Sequence, residues 1–457
     1  MMKDLTTGKI GRQIFRFAVP MLIGQMFQQL YTFVDQIIVG NFLGKEALAA
    51  VGASFPIIFI LIALVIGIAS GGTIVIAQYF GAKDFKMVKR AIDTLFIILF
   101  AAALLLTALG LPFLEQIFRL MKLPEELMDM GVSYLSVYIG GLILFFGYNG
   151  VAAILRGLGD STTPLYFLIL STVLNIGLDL LFIVVLGWGV VGAAWATLIA
   201  QGIAFITAAI YLNKTHELIK FNIKEFIFDL KIFKDSMRIG LPTGLQHTFV
   251  ALGMFALMGI VNTFGTNVTA AYTAAGRLDS LAVIPAMVFA QALATYVGQN
   301  MGAGKIERVN RGLWTTLLMS SLVSLVMTGV VIIFKYPLMG WFTKDADVIQ
   351  IGGDYLTIVT SFYLIFTSMF IFGAVMRGAG DTLIPMFITL FALWFIRIPV
   401  AFILSKKYGE TGIWWSIPAG WTFGMGLTLI YYKMGRWKSK VVVRQPAETT
   451  NPKASYD

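Results

Sequence analysis

The chain has 457 residues, of which 58% are hydrophobic and 13% are charged, with a formal net charge of +10 and no cysteine. A soluble domain carries about 25% charged residues, so this composition excludes an ordinary soluble protein and predicts an integral membrane protein. Without cysteine there are no disulfides or thiolate metal sites, and the two histidines lie too far apart in sequence for a helical metal-binding pair. We therefore expect no cofactor and no enzymatic activity.

Long apolar stretches in the first half of the chain predict six membrane-spanning helices, because about 20 apolar residues are needed to cross a bilayer. The stretch 161–213 turns at residues 187–189 and holds two of the six spans. The other four are residues 17–44, 47–82, 94–114 and 130–155.

A second set of six spans follows after a polar linker. These spans are residues 239–263, 270–296, 312–334, 355–376, 382–405 and 411–432. We expect an all-α chain of twelve transmembrane helices, with a bundle at 1–212, a linker at 213–238, a second bundle at 239–436 and a polar tail at 437–457. In the linker, apolar residues recur every three or four positions with lysines between them, which predicts an amphipathic helix on the membrane surface. These residues are Ile219, Ile223, Phe226, Leu230 and Phe233.

The basic residues predict how the chain is oriented. Most of the 34 Lys and Arg residues fall at the two ends of the chain and in the loops on the same side of the membrane. Such loops are cytoplasmic by the positive-inside rule, so we expect both termini in the cytoplasm and the chain in the cell (inner) membrane. Contact with anionic lipid explains the positive charge, and no nucleic-acid partner is expected.

The two sets of six spans are repeats of each other. At a constant offset of 221 residues, Gln78 matches Gln299, and Arg156 and Asp160 match Arg377 and Asp381. An even number of spans per repeat makes the repeats parallel, so they are related by an axis along the membrane normal, with the substrate path between them. This arrangement predicts a central cavity that opens alternately to the two sides as the halves rock.

Two acidic residues interrupt the apolar spans of the first half. Asp35 lies within the first span and Asp179 near the middle of the fifth, where a charge costs about 2.5–3.5 kcal/mol to insert. Spacings of four or seven residues give three helices an oxygen-bearing face. The pairs with these spacings are Gln28 with Asp35, Asn175 with Asp179, and the backbone of Ala193 with Thr197.

Such a cluster suits two different cations. Hard oxygen ligands favour Na+, whereas two neighbouring carboxyl groups also favour a shared proton, and the sequence leaves both open. A third alternative is that the acids only hydrogen-bond adjacent helices. At the repeat offset Asp35 meets Ala256 and Asp179 meets Val400, so we expect one coupling site, in the first half.

Other polar residues within the spans are weaker candidates, with packing as the alternative. Tyr134, Tyr138 and Asn149 share a face of the fourth span, and His247 and Arg397 lie within spans of the second half. We expect these five residues, with Gln28, to line the substrate cavity. Pro20 can bend the first span, and the alternative is a helix entry that both repeats share, since Pro242 has nearly the same place in the second half. The turns at Arg156 and Arg377 are expected to be structural corners.

Several stretches together resemble the multidrug and toxic compound extrusion (MATE) family, in its DinF-like prokaryotic branch. They are residues 34–35, 40–48, 77–82, 156–160 and 175–179. The resemblance implies export coupled to inward Na+ or H+ through Asp35, Asn175, Asp179 and Thr197, with the backbone carbonyl of Ala193. If the ion is Na+, those four side chains are its expected ligands. The resemblance also implies a gating role for a bend at Pro20.

The function expected is therefore a secondary-active exporter of amphiphilic small molecules, working as an antiporter in membrane lipid and as a monomer. Its 37 Phe and 21 Met residues provide adaptable apolar surface. The alternative is a flippase for a lipid-linked precursor, which belongs to the same superfamily.

Overall fold

In the computed structural model, residues 3–215 and 225–443 are described, and within these ranges the chain is helical with no strand. The helices of the first half are α1 (Ile10–Gly81), α2 (Phe85–Gly110), α3 (Leu114–Leu120), α4 (Glu125–Gly140), α5 (Leu142–Gly157), α6 (Thr162–Asp179) and α7 (Gly189–Thr215). A π-helical turn, Leu180–Val185, follows α6 directly.

The helices of the second half repeat this order. They are α8 (Leu230–Asn262), α9 (Thr266–Gly302), α10 (Ile306–Gly340), α11 (Ala346–Thr360), α12 (Tyr363–Ala379), α13 (Leu383–Phe391), α14 (Ile398–Tyr408) and α15 (Glu410–Met434). A second π-helical turn, Ala392–Arg397, joins α13 to α14.

Helix α1 contains two spans, divided at Gly44. Its 72 residues would extend about 108 Å as one straight helix, far more than the roughly 30 Å of a bilayer core. Gly44 has φ 85° and ψ −175°, a conformation that glycine adopts without steric cost. Its repeat equivalent, Gly265, has φ 92° and ψ −178° and separates α8 from α9. The same break therefore ends the first span of each half.

The helices account for the twelve spans expected from the sequence. Among the described residues, eight helices are long and apolar enough to cross a membrane, and two bent pairs raise this number to ten. The bends are 49° between α4 and α5 and 47° between α11 and α12. The division of α1 at Gly44 supplies the eleventh span, and the 25 residues of α15 supply the twelfth. The prediction of two parallel six-helix repeats is confirmed.

The two halves pack closely at the end of the bundle that carries both chain ends, which we call the terminal face. The second span of α1 contacts α8 and α9 there through small residues, as is common between membrane helices. A Cβ atom on Gly67 would lie 2.8 Å from the carbonyl oxygen of Gly240. At the ends of α1 and α9, Cβ atoms on Gly81 and Gly302 would overlap the carbonyl oxygens of Gln299 and Gln78.

The linker and the tail are described in part. Residues 216–224 and 444–457 lie outside the described ranges, so Ile219 and Ile223 of the predicted amphipathic helix do too, and that helix stays a prediction. The ring of Phe226 stacks on Phe96 with centroids 5.9 Å apart. Asp229 caps α8, which begins at Leu230. In the tail, the side chain of Trp437 is fully buried.

Candidate functional site

Two carboxyl groups from different helices meet inside the first half. Asp35 lies on α1, and Asp179 is the last residue of α6, just before the π-helical turn. The side chains approach within hydrogen-bonding distance of each other. Atom Oδ1 of each is buried without a hydrogen-bond partner among the described residues. Irregular turns of this kind often occur at functional sites, and here the turn follows the buried acid.

An amide and two hydroxyl groups surround the acid pair. In the amide orientation that satisfies both of its polar atoms, Asn175 donates from Nδ2 to Oδ2 of Asp179 at 3.0 Å. Its oxygen then accepts from the backbone N–H of Thr197 at 3.3 Å. The hydroxyl groups of Tyr31 and Thr197 are 3.2 Å apart. Residues from α1, α6 and α7 therefore form one hydrogen-bonded cluster, in which every neighbour of the acids is neutral.

The chemistry of this cluster is that of a cation site. No Lys or Arg in the described ranges forms an ion pair with Asp35 or Asp179, so their negative charge has no protein counter-charge. The carboxyl, amide and hydroxyl oxygens are hard donors of the type that bind Na+, and the unpartnered carboxyl oxygens equally suit a proton. Ala193 is buried one turn before Thr197 on α7, and no side chain of the described residues hydrogen-bonds to its carbonyl.

A cavity of about 130 Å³ lies next to the cluster. Side chains from α1, α5, α6 and α7 line it, and Val288 and Gln291 of α9 close it from the second half. Tyr31, Asn175 and Thr197 form the wall facing the acids. The coupling candidates and the cavity therefore share two residues, Asn175 and Thr197.

The residues expected to line the cavity fall into three groups. Gln28 and Asn149 do line it, as does Pro20. Tyr134 and Tyr138 are buried beside Asp35 and Tyr31 rather than on the cavity wall.

The other two residues belong to the second half of the chain. His247 lies on α8 and Arg397 ends the second π-helical turn, and neither lines this cavity. Atom Nε of Arg397 is buried without a partner in the described part of the chain. Nearby, the hydroxyl of Tyr363 donates to Oδ1 of Asp279 at 2.6 Å.

Pro20 lies inside α1 without interrupting it. The only residue of α1 with non-helical dihedral angles is Gly44, so in this conformation the helix runs continuously past the proline. A gating role for Pro20 stays a prediction.

Three residues of the site were missed by the sequence analysis. Tyr31 precedes Asp35 by four residues, and Gln201 follows Thr197 by four, so helical spacing placed both on the site face. The side-chain oxygen of Gln201 is buried without a partner among the described residues. Arg156, expected to be a structural corner, also lines the cavity, and its spacing of seven residues from Asn149 places the two on one helix face.

Comparison with known proteins gives the same family for both halves. The MatE family model matches residues 20–181 and again residues 242–403. The chain is 32% identical over 439 residues to the protein named Probable multidrug resistance protein YpnP of Bacillus subtilis, covering 95% of this chain and 98% of that one. It is 26% identical over 436 residues to the FAD transporter of Shewanella oneidensis, covering 91% and 94%.

A solved structure has the same fold. The outward-facing conformation of a multidrug resistance MATE family transporter of the MOP superfamily superimposes with a TM-score of 0.88 at 27% identity, covering 94% of this chain and 97% of that one. The family model, which matches each repeat separately, agrees with the repeated order of spans. The chain belongs to the MatE family of multidrug transporters.

Proposed function

We propose that this protein exports small organic molecules by antiport, driven by Na+ or H+ that enters through the site at Asp35 and Asp179. The observation that carries the proposal is the contact between two buried carboxyl groups without a protein counter-charge, beside a cavity. Two carboxylates at this distance repel each other strongly in a buried site. A bound proton or cation removes that repulsion.

Coupling follows if the occupied and empty sites favour different conformations. The cluster joins α1, α6 and α7, so neutralising the acids changes how firmly α1 is held against its neighbours. One charge moving down a membrane potential of 100 mV releases about 2.3 kcal/mol. That energy is enough to drive a modest uphill export of one molecule.

Alternating access would work through the contact between the halves. The glycine contacts at Gly81 and Gly302 hold the halves together at the terminal face, and the contact of Gly67 with Gly240 continues the interface along the helices. For the cavity to open on that side, these contacts must separate. Packed interfaces of this kind have discrete open and closed arrangements, so the halves would rock as bodies rather than deform.

We place the terminal face on the cytoplasmic side of the cell (inner) membrane. Most of the 34 Lys and Arg residues belong to segments at that face, as the positive-inside rule requires. Lys86, Lys89, Arg90, Lys305, Arg308 and Arg311 are among them. In this orientation, cations would enter from outside toward the acid pair and substrates would leave in the opposite direction.

The substrates proposed are small amphiphilic molecules. The relatives described above are named for multidrug resistance and for FAD transport, which favours soluble organic compounds over a lipid-linked precursor. The cavity supports the same class, because apolar side chains such as Leu165 and Leu168 alternate on its wall with amides such as Gln25. No resident cofactor is part of this proposal.

The test is efflux of a fluorescent cationic dye, rhodamine B ethyl ester, from proteoliposomes under a Na+ gradient and, separately, a pH gradient. Efflux under one gradient identifies the ion, and we expect Asp35→Asn and Asp179→Asn to abolish it. Asp354→Asn is the control, at a half-buried acid outside the site that accepts a hydrogen bond from Gln350, and should keep wild-type efflux. Gradient-driven efflux that survives in both site variants would overturn the assignment of the acids.

A further inference from the structure

The charge of the cavity has the opposite sign from that of the adjacent cation site. Among the described residues its wall comprises 22, and of these Arg156 alone carries a formal charge at neutral pH. Asp35 and Asp179 are not on this wall. A molecule in the cavity therefore meets one positive group and no carboxylate.

The guanidinium of Arg156 has no hydrogen-bond or ion-pair partner within residues 3–215 and 225–443. The acid four residues later, Asp160, is already occupied, because its carboxylate accepts from the backbone N–H groups of Thr162 and Thr163 and from the Thr163 hydroxyl. Arg156 is half-buried, and a cation withdrawn from water without a counter-ion is costly, so a role in binding an anion would explain its presence.

Further hydrogen-bond donors lie on the same stretch of wall. The hydroxyl of Ser161 is buried without a partner among the described residues. The amide of Asn149 uses one N–H for the carbonyl of Phe145 at 2.8 Å and has a second. Arginine with neutral donors is the usual protein environment for a carboxylate or phosphate, since the planar guanidinium binds two oxygens at once.

The positive end of the cavity is well separated from the acids. Ser161 and Asn175 both line the cavity on α6 and are 14 residues apart (175 minus 161), or about 21 Å along the helix axis. An anionic group bound at Arg156 would therefore not displace the cation at Asp35 and Asp179. The cavity can therefore hold an anionic group at Arg156 while a cation occupies the site at Asp35 and Asp179.

The repeat equivalent of Arg156 behaves differently. Arg377 donates to the backbone carbonyl of Phe370 at 3.4 Å and does not line this cavity. The two arginines have the same place in their repeats, but only Arg156 presents its guanidinium to the cavity. A need for a structural corner alone would not produce this difference.

We infer that Arg156 binds an oxyanion of the transported molecule, so that this cavity selects amphiphiles carrying a carboxylate or a phosphate ester. The inference rests on the proposed export function and names its substrate class. Ser161 and Asn149 supply the additional hydrogen bonds, and the apolar wall between Arg156 and Asn175 accommodates the remainder of the molecule.

Binding to the detergent-purified protein tests this with two pairs of fluorescent probes. Rhodamine B and its ethyl ester differ by one carboxylate, and flavin mononucleotide and riboflavin differ by one phosphate. In at least one pair, we expect the wild type to bind the member that carries the carboxylate or phosphate about tenfold more tightly. A tenfold difference is what a hydrogen-bonded ion pair contributes to affinity. The pair that shows the preference distinguishes a carboxylate from a phosphate substrate.

Three variants test whether Arg156 causes this preference. Arg156→Gln should bind the neutral or ester probe as the wild type does and lose the preference for the anion. Arg156→Lys should keep part of it, because the charge remains. Arg377→Gln is the matched control and should keep all of it. The inference is overturned if Arg156→Gln retains the preference for the carboxylate or phosphate probe. It is also overturned if Arg156→Lys, shown to be folded by its elution profile, has no more preference than Arg156→Gln.

Export of the four probes separates this inference from the proposed function. If wild-type proteoliposomes export none of them under either gradient, the export function fails. If any is exported, and neither the carboxylate nor the phosphate probe is preferred at equilibrium, the export function stands and the role of Arg156 is wrong.

Discussion

Gln78 and Gln299 occupy equivalent places in the two repeats, and each binds the opposite half of the molecule twice. Gln299 accepts from the backbone N–H of Leu5 at 2.9 Å and donates to the carbonyl of Gly157 at 3.1 Å. Gln78 donates to the carbonyl of Gly378 at 3.0 Å and accepts from the N–H of Val442 at 2.8 Å. All four bonds are buried and cross between the halves. Together they form a reciprocal clasp at the terminal face.

Removing one side of the clasp should favour opening at the terminal face. Gln299→Ala deletes two buried hydrogen bonds and leaves the Leu5 N–H and the Gly157 carbonyl unsatisfied, at a cost of about 1–3 kcal/mol each. The chain has no cysteine, so spin labels can be attached at Lys86→Cys and Glu307→Cys, which are exposed and repeat-equivalent. We expect the distribution of distances between the labels to shift to longer values.

Gln78→Ala should produce the same shift, because it removes the symmetric pair of bonds. The control is Gln350→Ala, an exposed glutamine on α11 that contacts only Asp354. If both clasp variants gave the wild-type distance distribution, the clasp would not contribute to closure.

The N-terminal segment should stay attached at every pH at which the protein normally functions. Burial of Asp4 opposes its ionisation, but hydrogen bonds from Lys83 and Thr6 outweigh this and lower its pKa to about 2. Because the folded-state pKa lies below the unfolded value of about 3.9, the stabilisation is complete above pH 4. It is lost as the pH falls toward 2.

Asp4→Asn removes the charge at all pH values and should loosen the segment even at pH 7. The measurement is amide hydrogen exchange of residues 3–8, which should be faster in the variant at pH 7. Wild-type exchange rates in Asp4→Asn would show that the 2.6 Å ion pair with Lys83 does not hold the segment.

The acid pair should reduce stability in the absence of a bound cation. Asp179→Asn removes one of two carboxyl groups in contact and replaces it with a neutral side chain of the same shape. We expect its apparent melting temperature in Na+-free buffer at pH 8 to equal or exceed that of the wild type, although its coupled export is lost. Functional sites commonly trade stability for activity in this way.

Tyr363→Phe provides the contrast in the second half. It removes the hydroxyl that donates to Asp279 and leaves that carboxyl without this partner, so we expect a loss of about 1–3 kcal/mol. A melting temperature for Asp179→Asn as low as that of Tyr363→Phe would indicate that Asp179 has a structural role.

Asn175 should set the affinity for the coupling ion. Its amide connects Asp179 with the backbone of Thr197, so Asn175→Ala removes two buried hydrogen bonds at the cation site. We expect the concentration of Na+ or H+ that gives half-maximal efflux to rise roughly tenfold, with little change in maximal rate. Asn213→Ala, on α7 beyond the site, is the control and should leave the half-maximal concentration unchanged.

The spans and repeats could be predicted from the sequence because they depend on local composition. A run of about 20 apolar residues identifies a span wherever its helix packs, and the offset from Gln78 to Gln299 shows the duplication. Helical spacing likewise groups Asn175 with Asp179. The contact between Asp35 and Asp179 is different, because it depends on how α1 crosses α6, and no local pattern specifies a crossing.

Arg156 shows most clearly what a local sequence pattern does not predict. Its sequence surroundings match those of Arg377, residue for residue in the turn Arg-Gly-x-Gly-Asp, so a sequence argument gives both the same role. What separates them is the tertiary environment: one guanidinium lines a cavity and the other donates to the Phe370 carbonyl. The residue seven positions earlier on the same helix face also differs, Asn149 before Arg156 and Phe370 before Arg377.

The reciprocal clasp has a practical consequence for handling the protein. Leu5 and Val442 are bound at the contact between the halves. If that contact opens during transport as proposed, an affinity tag or fluorescent fusion placed next to either residue will slow the transport cycle. A reporter attached within the exposed turn at Lys344, on the opposite face, would leave the contact between the halves undisturbed. Transport rates measured on tagged protein therefore need comparison with protein from which the tags have been cleaved.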